Sequence, residues 1–217
     1  MESELEFCIV SNNCWGGEVY AFNKIAYNTP FIGLFIPPLC FAKMCANLPK
    51  YLDQKLVFIN RSKYSIYHDL RKSSTYPIAL LGGIEIHFLH YISEEEASTK
   101  WIRRRKRMPN DQSLWMIKAC DREISNWPLF AKLWNSIPYH KVFFSSKYRP
   151  YINNSIWFFE FFYKKELPDG KTQYNYSKDY FEVEKWLINK KGEISSIKKI
   201  KKAISFVINK LNSWKQA

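Results

Sequence analysis

The sequence predicts an α/β protein with a layered, largely parallel sheet, flanking helices and a basic amphipathic helix at the C-terminus. Short apolar segments of strand-like composition alternate along the chain with longer segments of helical periodicity, an alternation typical of parallel sheets covered by helices. Turn-forming Gly, Pro and Asn residues separate the segments. Hydrophobic residues make up 47% of the 217 residues, which is enough apolar surface to form one good core.

Eight segments are predicted as strands because they are rich in apolar, β-branched or aromatic residues. Pro37-Pro38 ends the second segment, and Gly82-Gly83 separates the fourth from the fifth with a pair suited to a tight hairpin or a bulge. The predicted strands are residues 5–11, 31–36, 56–60, 76–81, 84–91, 114–120, 142–145 and 156–162.

Helical periodicity predicts the other elements. The clearest is residues 93–108, where Ser93 and Glu96 form a capping box and the cations at residues 103–107 suit the C-terminal end of the helix dipole. The polar segment 164–178 is predicted to be an exposed turn. One further helix is predicted to begin at residue 18. The others are predicted at residues 39–52, 128–136, 181–189 and 194–214.

This order of elements predicts one main domain with an appendage. We expect residues 1–165 to form the α/β core domain. Residues 166–217 are expected to form a polar connection and a C-terminal helical extension packed on that core.

Export and membrane signals are not found in the sequence. The acidic start Met1-Glu2-Ser3-Glu4 lacks the basic and apolar regions of a secretion signal, and the apolar stretches 31–42 and 152–163 are too short to span a bilayer. The five cysteines are scattered, without zinc or disulfide spacing. We therefore expect a cytoplasmic protein with reduced thiols, no transmembrane helix and no metal.

The net charge of +13 favours acidic partners. Residues 184–217 contain nine Lys and two Glu, so about half of the excess charge is in the tail. An apolar stripe in the tail predicts a helix that either docks on the body or lies on an anionic membrane surface. We favour docking, which leaves a weak, salt-sensitive contact with anionic lipid. The stripe consists of Ile194, Ile197, Ile200, Ile204, Val207, Leu211 and Trp214.

The first candidate binding segment is the loop after the first predicted strand. Ligands of open α/β sheets bind beyond the carboxyl ends of strands, where amides of the following helix face them. Asn12, Asn13, Cys14, Gly16 and Gly17 are therefore candidate ligand-binding residues for an anion or a sugar. The loop lacks G-x-G-x-x-G and a Walker lysine, so no dinucleotide or P-loop cofactor is expected. A plain turn with capping asparagines remains the alternative interpretation.

The second candidate is a carboxylate beside an imidazole. Strand alternation places Glu85 and His87 on one face, where the carboxylate would orient the imidazole as a general base. The alternative is a hydrogen-bonded pair without a catalytic role. His90 lies among apolar side chains in the sequence, and we expect it to be a core histidine.

Charged residues elsewhere are candidates for contacting phosphate. Arg104 and Arg105 belong to a run of five cations, and an arginine fork suits phosphate or diphosphate. Asp121 and Arg122 follow a predicted strand and would lie at the same sheet edge as the Asn12–Gly17 loop if the strands are parallel. Solvated helix charges and a local salt bridge are the alternative interpretations.

Several of these segments occur in order in one known family. The chain resembles the bacterial exopolysaccharide biosynthesis family catalogued as domain of unknown function 1919. The resemblance runs from about residue 7 to residue 149 and leaves the residues beyond 165 outside. The segments that carry it are SNNCWGG at residues 11–17, YNTPFIGLF at 27–35, YPIALLG at 76–82 and IEIHFLHY at 84–91, with Trp101, Arg104 and Arg105.

The resemblance implies a two-part α/β protein with a flavodoxin-like or nucleotide-binding-like layer, working beside enzymes of surface-glycan assembly. It supplies no catalytic residue. Our leading hypothesis is a transferase of surface or exopolysaccharide biosynthesis that acts on a nucleotide-linked or lipid-linked sugar, with His87 as base, the Asn12–Gly17 loop on the donor and Arg104 or Arg105 on its phosphates. Glycosyl and acyl transfer, the latter with Cys14 or His87 in the central role, both remain open.

The alternative from another class is a non-catalytic binding or scaffolding protein of the glycan-assembly machinery. A nucleic-acid-binding protein is a weaker alternative, because no RNA-binding module signature is present. If the protein is an enzyme, we expect Asn13, Glu85 and His87 to line one pocket.

Overall fold

The computed structural model describes residues 6–68 and 75–189. The predicted basic helix at residues 194–214 lies outside these ranges. The strands are β1 (Cys8–Ser11), β2 (Leu56–Ile59), β3 (Ile78–Leu81), β4 (Ile84–His87), β5 (Trp115–Cys120), β6 (His140–Ser145) and β7 (Ser155–Trp157). The helices are α1 (Trp15–Phe22), α2 (Pro38–Cys45), α3 (Leu48–Leu52), α4 (Glu94–Arg105), α5 (Trp127–Asn135), α6 (Gly170–Tyr180) and α7 (Val183–Asn189), with 3-10 turns at Ser65–Tyr67, Gln112–Leu114 and Phe159–Phe161.

Four strands form a parallel sheet in the order β1-β5-β6-β7. All four carboxyl ends therefore meet at one edge. In the register of β1 with β5, Ser11 lies beside Lys118. The α/β fold predicted from the alternation of elements is confirmed, and the loop after β1 opens at the edge where ligands of such sheets bind.

The second sheet is antiparallel, with the order β2-β3-β4. Gly82 and Gly83 form the tight turn between β3 and β4, with φ angles of 57° and 89°, which explains why glycine occupies both positions. One isolated bridge connects the sheet to the segment before α2, because the backbones of Phe35 and His87 exchange two hydrogen bonds of 2.8 Å.

The two faces of the parallel sheet bury separate apolar clusters, as strand alternation requires. On one face, Val10, Ile117 and Phe143 pack with α2, α4, α5 and side chains of the antiparallel sheet. On the other face, Ile9 and Phe144 pack with α1, α6 and α7. Helices therefore cover both faces of the sheet. None of the helices within the described part of the chain has the length and apolar character needed to cross a membrane.

Three predicted elements are wrong. Residues 31–36 form no strand beyond the bridge at Phe35, because Gly33 has a φ of 69° and turns the chain. Residues 156–162 are strand only as far as Trp157 and then form a 3-10 turn. The predicted turn at 164–178 contains the start of α6, which Asp169 caps by accepting hydrogen bonds from the amides of Lys171 and Thr172.

Candidate functional site

The loop after β1 leads directly into α1. Asn13 Oδ1 accepts a hydrogen bond of 3.1 Å from the Trp15 amide, which satisfies one donor of the first helical turn. A Cβ atom at Gly16 would lie 3.0 Å from Cγ2 of Ile9, so glycine lets the helix approach the strand closely. Asn13 and Gly16 therefore have structural roles in placing Cys14, the residue before the helix.

An open pocket of about 300 Å³ lies beside the start of α1. Its walls come from four places in the chain: the loop and helix after β1, the segment before α2, the connection from β4 to α4, and α4 itself. Of the predicted site residues, the pocket brings together Cys14, Gly17 and Arg104. The lining residues are Cys14, Gly17, Glu18, Ala21, Tyr27, Ile32, Gly33, His90, Tyr91, Lys100 and Arg104.

Cys14 and His90 form a pair in this pocket. The Cys14 Sγ atom lies 3.4 Å from His90 Nε2. Burial raises the pKa of the Cys14 thiol, and the charges of Glu18 and Asp169 raise it further while Lys118 opposes them. The thiol is therefore protonated at neutral pH, and it needs a base before it can act as a nucleophile.

His90 corrects the prediction of a core histidine, because its side chain is exposed. The strand β4 ends at His87, and the chain then turns so that the His90 amide donates a hydrogen bond of 3.0 Å to the Gly33 carbonyl. The Cβ of His90 lies 3.2 Å from the position that a Cβ at Gly33 would take. The turn at Gly33 thus supports the position of the imidazole.

Arg104 is the most enclosed cation of the pocket, with 8% of its surface exposed. Its Nη1 donates a hydrogen bond of 2.6 Å to the Tyr91 hydroxyl, which itself donates to the Ile32 carbonyl at 2.6 Å. The guanidinium carbon lies 5.1 Å from the centre of the Tyr27 ring. Two aromatic residues therefore hold the guanidinium in a fixed orientation.

The remaining charges of the pocket differ in how they are compensated. Lys100 is hydrogen-bonded to Glu96 in the preceding turn of α4, whereas Arg104 belongs to none of the ion pairs found within the described ranges. Glu18 adds one carboxylate on the opposite helix. The Arg104 guanidinium therefore has unused capacity to bind an anion.

A buried polar network lies next to the pocket, at the carboxyl end of β5. The Lys118 ammonium is fully buried and donates to Asn13 Oδ1 at 3.2 Å and to Gln173 Oε1. Gln173 Nε2 in turn lies 3.2 Å from Cys120 Sγ. Burial lowers the pKa of Lys118 to about 8, because its hydrogen-bond partners are neutral.

Helix α6 packs on part of the sheet edge that the sequence predicts to be open, next to the start of α1. A Cβ at Gly170 would lie 2.6 Å from the Trp15 amide nitrogen and 2.8 Å from that of Cys14. The expectation that the Asn12–Gly17 loop binds an anion therefore stays a prediction, and the protein's own backbone occupies part of the space beside the loop. Asn12 is buried, with its carbonyl accepting a hydrogen bond of 3.1 Å from the Ile36 amide.

Glu85 and His87 are paired as predicted, with 2.7 Å between Glu85 Oε1 and His87 Nε2. Both are fully buried, and the other ring nitrogen of His87 lies 3.1 Å from the Tyr76 hydroxyl. Burial favours a raised pKa for Glu85, but hydrogen bonds from His87, Ser62 and the Lys63 amide outweigh it and lower the pKa. The pair does not line the Cys14 pocket, so the single site expected for Asn13, Glu85 and His87 is not formed.

Three more predicted binding residues are engaged elsewhere. Arg105 forms an ion pair of 2.6 Å with Asp53. Asp121 accepts hydrogen bonds from the side chains of two serines at the end of β6, Ser145 and Ser146, and from the Leu167 amide. Arg122 donates to the Leu167 carbonyl at 3.2 Å. Asp121 and Arg122 therefore fix the segment that precedes α6.

Sequence reasoning missed His90, Lys118 and the aromatic support of Arg104. A lysine in the apolar run WMIKAC of β5 was a signal for the buried cation. The proximity of His90 to Cys14 had no local signal, because 76 residues separate them. Among residues 6–68 and 75–189, no group of three or more His, Cys, Asp or Glu side chains is placed to hold a metal ion.

These features define an α/β protein with a cysteine–histidine–arginine pocket at the carboxyl edge of a parallel sheet. The chain belongs to the family described as Domain of unknown function (DUF1919), whose model matches residues 2–188. The match includes α6 and α7, which corrects the expectation that the resemblance ends before residue 165. The chain is also 29% identical over 187 residues to an uncharacterized protein of Haemophilus influenzae strain Rd, with 82% of each chain covered.

Proposed function

We propose that this protein is a cytoplasmic transferase of surface or exopolysaccharide biosynthesis that acts on a phosphate-activated sugar, either nucleotide-linked or lipid-linked. The proposed binding site is the pocket of Cys14, His90 and Arg104. The lysine-rich tail would add a weak, salt-sensitive attraction to the inner face of the membrane. Nucleic acid is not a proposed partner.

The observation that carries the proposal is the state of Arg104. A buried charge is costly unless it is paired, and Arg104 is only 8% exposed and has no ion pair among the described residues. Tyr91 and Tyr27 orient it beside the pocket before any ligand arrives. A phosphate or diphosphate would supply the missing negative charge, with the paired oxygens that an arginine fork prefers.

We assign the general base to His90 in place of His87. A base must reach the proton that it removes, and the exposed His90 imidazole lines the pocket. Both ring nitrogens of His87 already have partners in a fully buried cluster. In this proposal Glu85 and His87 stabilise the antiparallel sheet that leads to His90.

The test is binding of UDP-glucose, UDP-N-acetylglucosamine and a short-chain polyprenyl-diphosphate sugar, measured by calorimetry. Arg104→Gln should weaken binding at least about tenfold, because hydrogen bonds to charged groups contribute roughly 1.5–3 kcal/mol. Arg103→Gln is the matched control, since Arg103 is exposed on the same helix and outside the pocket. Equal affinity of the Arg104→Gln variant and the wild type for every ligand bound would contradict the proposal.

One observation favours a binding protein as the second candidate. The pKa of the Cys14 thiol is raised by burial, and a protein that only holds a glycan precursor needs no reactive thiol. The two candidates differ in the effect of His90→Gln on turnover. A transferase loses its rate with little change in affinity, whereas a binding protein shows no turnover in either form.

A further inference from the structure

Cys14 stands where three features of a covalent acyl-transfer site coincide. Its sulfur lies 3.4 Å from His90 Nε2. It is the N-cap residue of α1, and its side chain makes no capping hydrogen bond to the helix. It also lines the pocket that contains Arg104.

The first turn of α1 supplies amide donors next to this sulfur. Glu18 donates its amide to the Cys14 carbonyl, and the Trp15 amide is used by Asn13. Within the described residues, the Gly17 amide donates to no backbone or side-chain acceptor, and Gly17 lines the pocket. Such an amide can stabilise the oxyanion of a tetrahedral intermediate.

We propose that Cys14 carries an acyl group as a thioester and passes it to a hydroxyl of the sugar whose phosphate is bound at Arg104. The donor would be a small acyl thioester. This inference rests on the proposed function for its acceptor, while the formation of the thioester depends only on Cys14, His90 and the donor.

In the first half-reaction, the Cys14 Sγ–H proton moves to His90 Nε2, and the thiolate attacks the carbonyl carbon of the donor thioester. A bond forms between Cys14 Sγ and the acyl carbon, and the donor's carbon–sulfur bond breaks. The departing thiolate takes the proton from His90. The products are the Cys14 thioester and the free donor thiol.

In the second half-reaction, a sugar hydroxyl gives its proton to His90 and its oxygen attacks the thioester carbonyl. A carbon–oxygen bond forms, the bond to Cys14 Sγ breaks, and the sulfur takes the proton back from His90. No electrons are gained or lost overall. The products are an O-acylated sugar and the original thiol.

The chemistry of sulfur favours an acyl group over a glycosyl group on Cys14. A thioester carbonyl reacts readily with a hydroxyl, whereas a thioglycoside bond resists cleavage and would trap the enzyme. The raised pKa of Cys14 is consistent with this role, because an unactivated thiol becomes nucleophilic only when His90 removes its proton.

The test of the thioester uses the full chain and the acetyl thioester of N-acetylcysteamine, followed by intact mass and peptide mapping. We expect one acetyl group on Cys14 that neutral hydroxylamine removes. Cys14→Ala should not be labelled at this site. His90→Gln should slow labelling by about 10²-fold or more, the range for general base catalysis.

His68→Gln is the matched control, because His68 lies at the 3-10 turn Ser65–Tyr67 and outside the pocket. It should label at the wild-type rate. Thermal unfolding of each variant shows that it is folded. A hydroxylamine-resistant acetyl group on Lys100, or labelling of folded protein that is independent of His90, would overturn the thioester proposal.

Arg104→Gln distinguishes this proposal from the proposed function. The variant should still form the Cys14 thioester but should lose acetyl transfer to UDP-N-acetylglucosamine or the polyprenyl-diphosphate sugar. If Cys14 forms the thioester but Arg104→Gln binds the sugar phosphates as tightly as the wild type, only the proposed function is overturned. Arg104-dependent binding without any labelling of Cys14 would overturn the thioester alone.

Discussion

At the scale of single residues, the structure contains two buried ionisable groups that are stabilised in opposite ways. Glu85 receives hydrogen bonds from His87, Ser62 and the Lys63 amide, so its charged form is favoured and its pKa is lowered. Lys118 has the neutral partners Asn13 and Gln173, so burial disfavours its charged form. The protein therefore loses stability by keeping Lys118 protonated.

Lys118 gives a prediction for the pH dependence of stability. In the unfolded chain a lysine titrates near 10.4, whereas burial lowers the pKa of Lys118 in the folded protein to about 8. Between these values the unfolded state binds more protons, so this group makes stability rise with pH and its benefit is lost as pH falls through 8. The full effect is on the order of 3 kcal/mol.

The measurement is urea unfolding at several pH values between 7 and 10.5 for the wild type and Lys118→Met. Subtracting the two curves isolates the lysine, and the difference should favour the wild type progressively more as pH rises. Parallel curves for the two proteins would show that folding does not lower the pKa of Lys118.

At the scale of elements, the packing of α6 on the start of α1 determines the shape of the site. Gly170 lies against the backbone of Cys14 and Trp15, and the Trp15 indole donates a hydrogen bond of 3.1 Å to Ser177. Gln173 reaches Lys118 from the same helix. A helix near the end of the described chain thus completes the environment of the first loop.

Gly170→Ala should therefore be strongly destabilising. The added Cβ would lie 2.6 Å from a backbone nitrogen, which cannot move as a flexible side chain does, and overpacking of this kind costs about 1–3 kcal/mol. Gly17→Ala is the matched control, because its Cβ would lie 3.9 Å from Cγ2 of Ile32, an ordinary contact distance. Replacing glycine by alanine inside a helix stabilises the folded state by about 0.5–1 kcal/mol. Thermal unfolding should separate the two variants in opposite directions; equal midpoints would contradict the close contact.

The elements that the sequence predicts well are those whose local signals agree with their packing. The capping box at Ser93 identified α4, and the glycine pair identified the turn between β3 and β4. The sequence predicts a strand at residues 31–36 because the segment is apolar, and most of its apolar residues are buried. Gly33 nevertheless has a positive φ and turns the chain beside His90, a contact between residues that are distant in sequence. Burial alone does not distinguish a strand from an apolar turn.

The site was predictable only where its residues adjoin in sequence. Cys14 and Gly17 follow a strand, and Arg104 belongs to a run of five cations, so the sequence predicts all three as binding residues. The choice between Arg104 and Arg105 depends on tertiary contacts: Tyr91 holds the first, and Asp53 pairs with the second. His90 reaches the pocket because the chain turns after β4 ends at His87. Strand periodicity predicts a strand that continues to residue 91, so it does not predict this turn.

At the scale of the whole molecule, the two sheets share one apolar cluster. Ile86 and Phe88 from the antiparallel sheet region pack in the same cluster as Val10 and Ile117 of the parallel sheet. The bridge between Phe35 and His87 joins the sheet backbone to the segment before α2. We therefore expect both sheets of the described structure to unfold together.

His87→Ala tests this coupling. It removes the partner of buried Glu85 and should cost about 3–5 kcal/mol, as breaking a buried pair does. Native-state hydrogen exchange should show the same loss of protection for the amides of β5 as for those of β3, because the cluster is shared. A loss confined to β3 and β4 would mean that the antiparallel sheet opens by itself.

The contact between Gly170 and the start of α1 also sets an order of events during synthesis. In the chain 162 residues separate Trp15 from its partner Ser177, and at 5–20 residues per second a ribosome needs about 8–30 s to make that length. Until α6 emerges, Lys118 lacks its Gln173 partner and the Cys14 loop lacks its cover. The surroundings of the Cys14 loop are thus among the last parts of the described fold to be completed, although this loop directly follows β1.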